Sequence, residues 1–417
     1  MLGRVAVLGV AIFLIPAVSS PAVQDGHNPD WRKCTKCTNA LSKAMSFVKS
    51  KYKGSGLAGH VYGGFAFLMD DSGSSGSDLQ DCVRWCSGAI KQKGFNGNWY
   101  LGMCMFFLAE YSMKFGTGET GGALSEGIKV AAENVEETGG WCHSKGMWEK
   151  TGYNKKGGGR DLGIVTSMIY GAFLEMKSMG IDPGSMAEKA MKNLESISDG
   201  SGVCYGTDNR VPDFGNSRAS YALLGMQATK RTDHPLYSKY SDGVSKKYKG
   251  TPQGHAFGPL HYFGVAAAMH RMGPGEYQKF TAEFLDKLIS AQAADGSVPM
   301  QSDGGKRKDA DQFMDSVAST AVFACIIMMQ KDGVFNPKAK AKPAAGGSKP
   351  PGGPSPFAFK NKDKPANVPT GSAPTAKKDD EGGMPKPYIP EEFKDSAQPD
   401  PEGFGGGMKA EDYENPK

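Results

Sequence analysis

Four times along this chain a glycine-bearing turn delivers an apolar residue and is followed by a long apolar run. The turns are Asn96-Gly97-Asn98-Trp99, Gly139-Gly140-Trp141, Asp199-Gly200-Ser201-Gly202-Val203 and Asp295-Gly296-Ser297-Val298. The first three anchors stand roughly 40–60 residues apart and the last about twice as far on. Inside that longer gap Gly254-His255-Ala256-Phe257-Gly258 reads as a divergent copy. Periods of this size mark units that cannot bury their apolar faces alone and therefore stack on one another.

The runs between the turns carry helical spacing. From Leu162 onward Val165, Met168, Ile169, Ala172, Phe173 and Met176 share one helical face. Tyr100 to Tyr111, Arg218 to Ala228, Leu260 to Met272 and Met314 to Met329 are apolar almost all round, as expected of helices covered on every side. Half-polar runs alternate with them: Leu79 to Lys93, Ala123 to Glu136, Pro183 to Ile197 and Glu276 to Gln292. Pro183 is expected near the start of its helix, where a missing N–H costs little. Inner apolar helices alternating with outer amphipathic ones predict an all-α fold, an (α/α)6 toroid of repeated helical hairpins. The short run Gly59 to Asp70 is the weakest part of the pattern.

The chain divides into three materials. Arg4, the apolar stretch Val5 to Ile15 and the small residues from Ala17 to Ala22 read as a signal peptide over 1–22. That predicts export, to a periplasm, a cell surface or the medium. Residues 31–336 form the expected folded body. Residues 337–417 are rich in Pro, Gly, Ser, Lys and Asp, too poor in apolar surface to offset their ordering entropy, and are expected to be a solvated tail. No later segment is long and apolar enough to span a bilayer. The net charge of +5 over 417 residues comes from mixed signs, which argues against nucleic acid as a partner.

Export changes the meaning of the eight cysteines, because an oxidising compartment favours disulfides. Cys34 and Cys37 form a C-x-x-C motif that Thr38 excludes from haem attachment; Cys82 and Cys86 lie one helical turn apart. These four read either as two disulfides or as a four-thiolate zinc site. Cys104 and Cys325 fall inside apolar runs and read as buried thiols.

Particular residues resemble a known repeat. Gln292-Ala293-Ala294-Asp295-Gly296-Ser297 after Phe284-Leu285 resembles the repeat of squalene and terpenoid cyclases, with Val298 where that repeat ends in Trp. Ser319-Thr320-Ala321 resembles the start of that family's inner helices, and Gly140-Trp141 followed by Asp161-Leu162 looks like the same unit again. The resemblance spans about 300 residues and implies the toroid of the terpenoid cyclase and prenyltransferase superfamily, not its chemistry. In register with Thr320-Ala321, the cyclase acid segment falls on Ser316, Val317, Ala318 and Ser319, which contain no acid. Asp309-Ala310-Asp311-Gln312 is displaced by seven residues in a basic loop, and no Asp-x-Cys of the zinc prenyltransferases occurs. Cyclase activity is therefore not expected. Cys142-His143 and Cys204-Tyr205-Gly206 echo, in reversed order, the zinc ligands of lanthionine synthetase-like toroids.

Cys142 and Cys204 each follow a turn anchor by one residue. They read as a disulfide, as zinc ligands with His143, His255 or His261, or as two separate thiols. Around them the sequence gathers Trp141, Trp148, Tyr153, Arg160, Asp161, Tyr205, Asp208, Arg210 and Asp213. Such residue types suit a carbohydrate, peptide or small-molecule ligand, through stacking and directed hydrogen bonds. Set against this, Asp161 and Asp213 also read as helix caps, and the glycine-rich stretch 153–159 as either a lid or a plain loop. Two classes of function follow: an exported scaffold that binds a ligand or partner, or an enzyme at the mouth of the barrel using His143, Tyr205, Arg210 or His255.

Overall fold

A computed structural model describes residues 31–70, 74–92, 97–144, 161–200, 202–208, 210, 217–254, 257–300 and 316–329. The expected signal peptide, the expected tail, and Trp148, Tyr153, Arg160, Asp213 and His255 lie outside the described residues. Those described are mostly helical, as the periodicity predicts. They form twelve α-helices and one two-stranded hairpin, Ser198–Asp199 paired antiparallel with Gly202–Val203.

Six helices are buried on all sides through most of their length. These are α2 (Leu57–Met69), α4 (Asn98–Phe115), α6 (Gly163–Ser178), α8 (Ser217–Ala228), α10 (Gly258–Met272) and α12 (Ser316–Met328). The other six bury one face each: α1 (Thr35–Lys51), α3 (Gly76–Lys91), α5 (Gly121–Asn134), α7 (Met186–Ile197), α9 (Pro235–Lys247) and α11 (Pro274–Ser290). Helix α7 begins three residues after Pro183, whose carbonyl accepts from the Met186 N–H at 3.3 Å. Among the buried helices α2 packs on α4, α4 on α6, α6 on α8, α8 on α10, α10 on α12, and α12 on α2. Helix α3 covers α2 and α4, α5 covers α4, α7 covers α6, α9 covers α8 and α10, α11 covers α10 and α12, and α1 covers α12.

The glycine turns link one unit to the next. Gly139 and Gly296 both have positive φ, 83° and 94°. A Cβ on Gly139 would stand 2.8 Å from the Lys189 carbonyl oxygen of α7, and one on Gly296 would stand 2.5 Å from that of Lys43 on α1. Only glycine satisfies both the dihedral and the approach. The anchor after each glycine is fully buried, and its N–H reaches a threonine on the next inner helix. Trp141 donates to Thr166 Oγ1 at 3.2 Å and Val298 to Thr320 Oγ1 at 3.0 Å. Gln292 of the cyclase-like motif donates to the carbonyls of Gly296, at 3.1 Å, and Ala40, at 3.0 Å. The N-terminal helix α1 thus covers the last inner helix and receives the last turn.

Helices three places apart in this order also touch. The Tyr62 and Tyr221 hydroxyls, from α2 and α8, meet at 3.1 Å, and Tyr221 donates to the Leu260 carbonyl at 2.9 Å. Phe65 packs against Phe107 and Phe263 at centroid distances of 5.2 and 4.6 Å, and Phe106 meets Tyr221 edge-on at 5.3 Å. All of these rings are buried, each contributing about 1.5–3 kcal/mol relative to an exposed position. Burial pushes both phenols well up, so they stay neutral hydrogen-bonding groups.

Candidate functional site

The loops that lead into α4, α6, α8 and α10 are held by contacts at the beginnings of these helices. Trp99, in the first turn of α4, donates its indole N–H to His143 Nδ1 at 2.9 Å and packs edge-on against Phe257 at 4.6 Å. Because Nδ1 accepts, the neutral His143 ring carries its proton on Nε2. The neighbouring Asn98 holds the same loop, donating its side-chain amide to the Cys142 carbonyl at 3.0 Å and accepting from Asn134 at 2.9 Å. At the start of α8 the Arg218 guanidinium lies over the Tyr205 ring at 5.2 Å. Trp99, His143 and Tyr205 are half-buried, whereas Arg218 is buried.

Asp161 organises the wall between these two pairs. It is fully buried, and its carboxylate accepts from the Thr207 N–H at 2.6 Å, the Thr207 hydroxyl at 2.7 Å and the Asn193 amide. Asp161 therefore ties the Tyr205 loop to α7 instead of serving as a capping group within α6 or as a group for a ligand. Gly163, which opens α6, donates to the Tyr205 carbonyl at 2.8 Å.

The remaining expected site residues fall in different places. Trp141 is buried, its indole N–H donating to the Ala131 carbonyl at 2.8 Å, so it is core and not a stacking platform. His261 is buried in α10 against Gly254, where a Cβ would strike the imidazole. Asp208 and Arg210 are exposed, and Arg210 donates to the Ser196 carbonyl at 2.7 Å. Trp99 and Arg218 contact the expected residues His143 and Tyr205, and Phe257 packs on Trp99, although residue type alone does not single them out. Their signal is position, each standing where a glycine turn or loop enters an inner helix.

Cys104 and Cys325 are buried thiols, as their apolar runs predict, and Cys142 and Cys204 follow the reading of two separate thiols. All eight are buried and no disulfide links them, so neither the Cys34, Cys37, Cys82 and Cys86 pairings nor a Cys142–Cys204 bond is present. Cys37 lies near Asp286 of α11, whereas Cys86 on α3 hydrogen-bonds Cys104 on α4; the two motifs have different surroundings. Burial pushes the Cys142 thiol up to about 12 and also raises Cys204. Among the described residues no group of three or more His, Cys, Asp or Glu is arranged to hold a metal ion, the set Cys142, Cys204 and His143 included. No described helix is long and apolar enough to cross a membrane.

Four of the buried helices also meet through charge, with Glu110, Glu175 and Arg271 near the C-terminal ends of theirs. Arg271 of α10 pairs with Glu110 of α4, approaches Glu175 of α6 at 3.7 Å and donates to the Leu224 carbonyl of α8 at 2.9 Å. Glu175 is fully buried; desolvation, reinforced by Glu110, pushes its carboxyl well above the usual range. This cluster is a polar closure among four helices. No family model, curated protein or solved structure matches the chain.

Proposed function

We propose that the chain is an exported (α/α)6 toroid of the terpenoid cyclase-like type that binds a ligand or partner at the mouth formed by Trp99, His143, Tyr205 and Arg218, without cyclase chemistry. The observation that carries this reading is the Tyr62–Tyr221 contact at 3.1 Å, with aromatic rings packed about it. In such a toroid these side chains would fill the centre, whereas catalysis on a hydrocarbon needs a dry chamber with an acid aimed into it. The cyclic order of inner-helix contacts, closed by α12 on α2 and covered by α1, supports the toroid. The half-buried rings of Trp99 and Tyr205 keep part of their surface exposed, and the exposed charges Asp208 and Arg210 follow Tyr205 closely in the chain. That chemistry fits a polyhydroxylated or carboxylated ligand, a carbohydrate first and an acidic peptide second.

The test is a binding screen on the full chain with soluble oligosaccharides and short peptides, read by thermal shift and tryptophan fluorescence. A hit should weaken at least about tenfold in Tyr205→Ala and Arg210→Ala, which corresponds to about 1.4 kcal/mol. Conversion of the hit to a product would favour the alternative, an enzyme at the same mouth. Binding unchanged in both variants would remove this site from consideration.

A further inference from the structure

Outside the mouth, the C-x-x-C motif has an arrangement that neither a structural disulfide nor a zinc site explains. Cys34 is the N-cap of α1, with extended backbone at φ −96° and ψ 101°, and its Sγ accepts from the Cys37 N–H at 3.2 Å. The Cys37 thiol in turn hydrogen-bonds Cys34, and burial with this bond pushes it up to about 12. The two sulfurs therefore differ. Cys34 receives an amide N–H at the positive end of a seventeen-residue helix, while Cys37 stands inside the first turn and is fully buried. Cys34 is also the most exposed cysteine, at 6% against 0–1% for the other seven. Basic residues flank it at Arg32, Lys33 and Lys36.

We propose that Cys34 and Cys37 are a redox-active dithiol that exchanges with external disulfides, Cys34 as the attacking sulfur and Cys37 as the resolving one. Cys34 loses its proton and attacks one sulfur of a disulfide R–S–S–R. A Cys34–S–S–R bond forms, and the first R–S⁻ leaves and takes up a proton. Cys37 then loses its proton and attacks Cys34 Sγ, forming the Cys34–Cys37 bond and expelling the second R–S⁻, which is protonated in turn. Two protein thiols are oxidised by two electrons, and one external disulfide is reduced to two thiols. Ring closure must draw the two Cβ atoms together by about 1–2 Å from helical spacing. The N-cap lies outside the helix proper, so its backbone can turn without breaking the hydrogen bonds of α1. Among the described residues these thiols join no metal-holding group.

The experiment equilibrates the folded full chain in glutathione buffers of graded ratio, quenches with acid, alkylates and digests with trypsin. Cleavage after Lys33, Lys36 and Lys43 separates the two cysteines, so a Cys34–Cys37 disulfide joins two fragments that otherwise run apart. The expected result is that linked pair, formed in one two-electron transition while the remaining cysteines stay reduced. In Cys37→Ala a glutathione adduct should accumulate on Cys34. In Cys34→Ser, whose hydroxyl preserves the N-cap, Cys37 should remain a thiol. Cys34 of the wild-type chain should alkylate about tenfold faster than any other cysteine, a readout that needs no variant to fold. Cys34 remaining reduced at every ratio in a natively melting chain would overturn the proposal. First oxidation between Cys86 and Cys104 would overturn it equally.

Discussion

The backbone N–H of Val298 donates to Oγ1 of Thr320 at 3.0 Å, the same bond that Trp141 makes to Thr166 at 3.2 Å. Both anchors are fully buried, and each bond joins a glycine turn to the inner helix it feeds. Replacing either threonine by valine keeps the shape and removes the acceptor, stranding a buried N–H. Thr166→Val and Thr320→Val should each lower stability by about 1–3 kcal/mol, and by similar amounts, because the two sites do the same work. Urea unfolding of the two variants measures this; a neutral result at Thr320 alone would mean that the last unit is not built like the second.

Glycine substitutions separate dihedral strain from steric approach. Gly180 has φ 84°, and a Cβ there would meet nothing within 4 Å, so Gly180→Ala should cost about 1 kcal/mol from the dihedral alone. Gly139→Ala and Gly296→Ala carry the same dihedral cost and also press a methyl onto a backbone carbonyl of α7 or α1. They should cost roughly 2 kcal/mol more, the usual range for a forced overlap. Equal losses at all three positions in thermal melts would show that the turns do not seat on the outer helices.

The buried Arg271 cluster predicts a pH dependence. Glu175 keeps its proton in the folded chain to a higher pH than in the unfolded chain, because burial and Glu110 disfavour its charge. Its contribution to stability is complete below the ordinary carboxylate range and is lost as pH rises toward the folded value. Glu175→Gln should remove that decline, giving a flatter stability profile from acid to neutral pH. Arg271→Met, which leaves Glu110 buried without its ion pair, should cost about 3–5 kcal/mol. Adding Glu110→Gln to it should restore much of the loss. A wild-type profile that rises with pH through this window would contradict the assignment to Glu175.

Much of this architecture is legible in the sequence because full burial leaves a plain signal. The runs over α4, α8, α10 and α12 are apolar almost all round, that over α6 shows a clear helical face, and their boundaries fall within a few residues of those expected. Helices α1 and α9 are not evident from sequence. The apolar positions of α9, such as Leu236, Tyr240 and Val244, form a narrow stripe among lysines, serines and a glycine. Helix α2 looks weak in sequence because it carries several small residues, yet all of it is buried. The site is less legible, since it depends on which loops meet. Trp141 has the right chemistry for stacking but faces α5, whereas Trp99 reaches His143 across a gap of more than forty residues, a proximity no local spacing encodes. Glu110, Glu175 and Arg271 do leave a signal, as charges inside otherwise apolar runs, where burial demands partners.

The Tyr62–Tyr221 contact joins α2 to α8, and its strength decides whether the interior of the proposed toroid is filled. Because Tyr221 donates to the Leu260 carbonyl, Tyr62 must be the donor between the two hydroxyls. A double-mutant cycle of Tyr62→Phe, Tyr221→Phe and the pair, measured by urea unfolding, reads their coupling. The account predicts a coupling of about 1 kcal/mol, with Tyr221→Phe the more damaging single change because it strands the Tyr62 hydroxyl. Additive effects would mean that α2 and α8 do not meet, that the interior is open, and that the mouth is the entrance to a chamber.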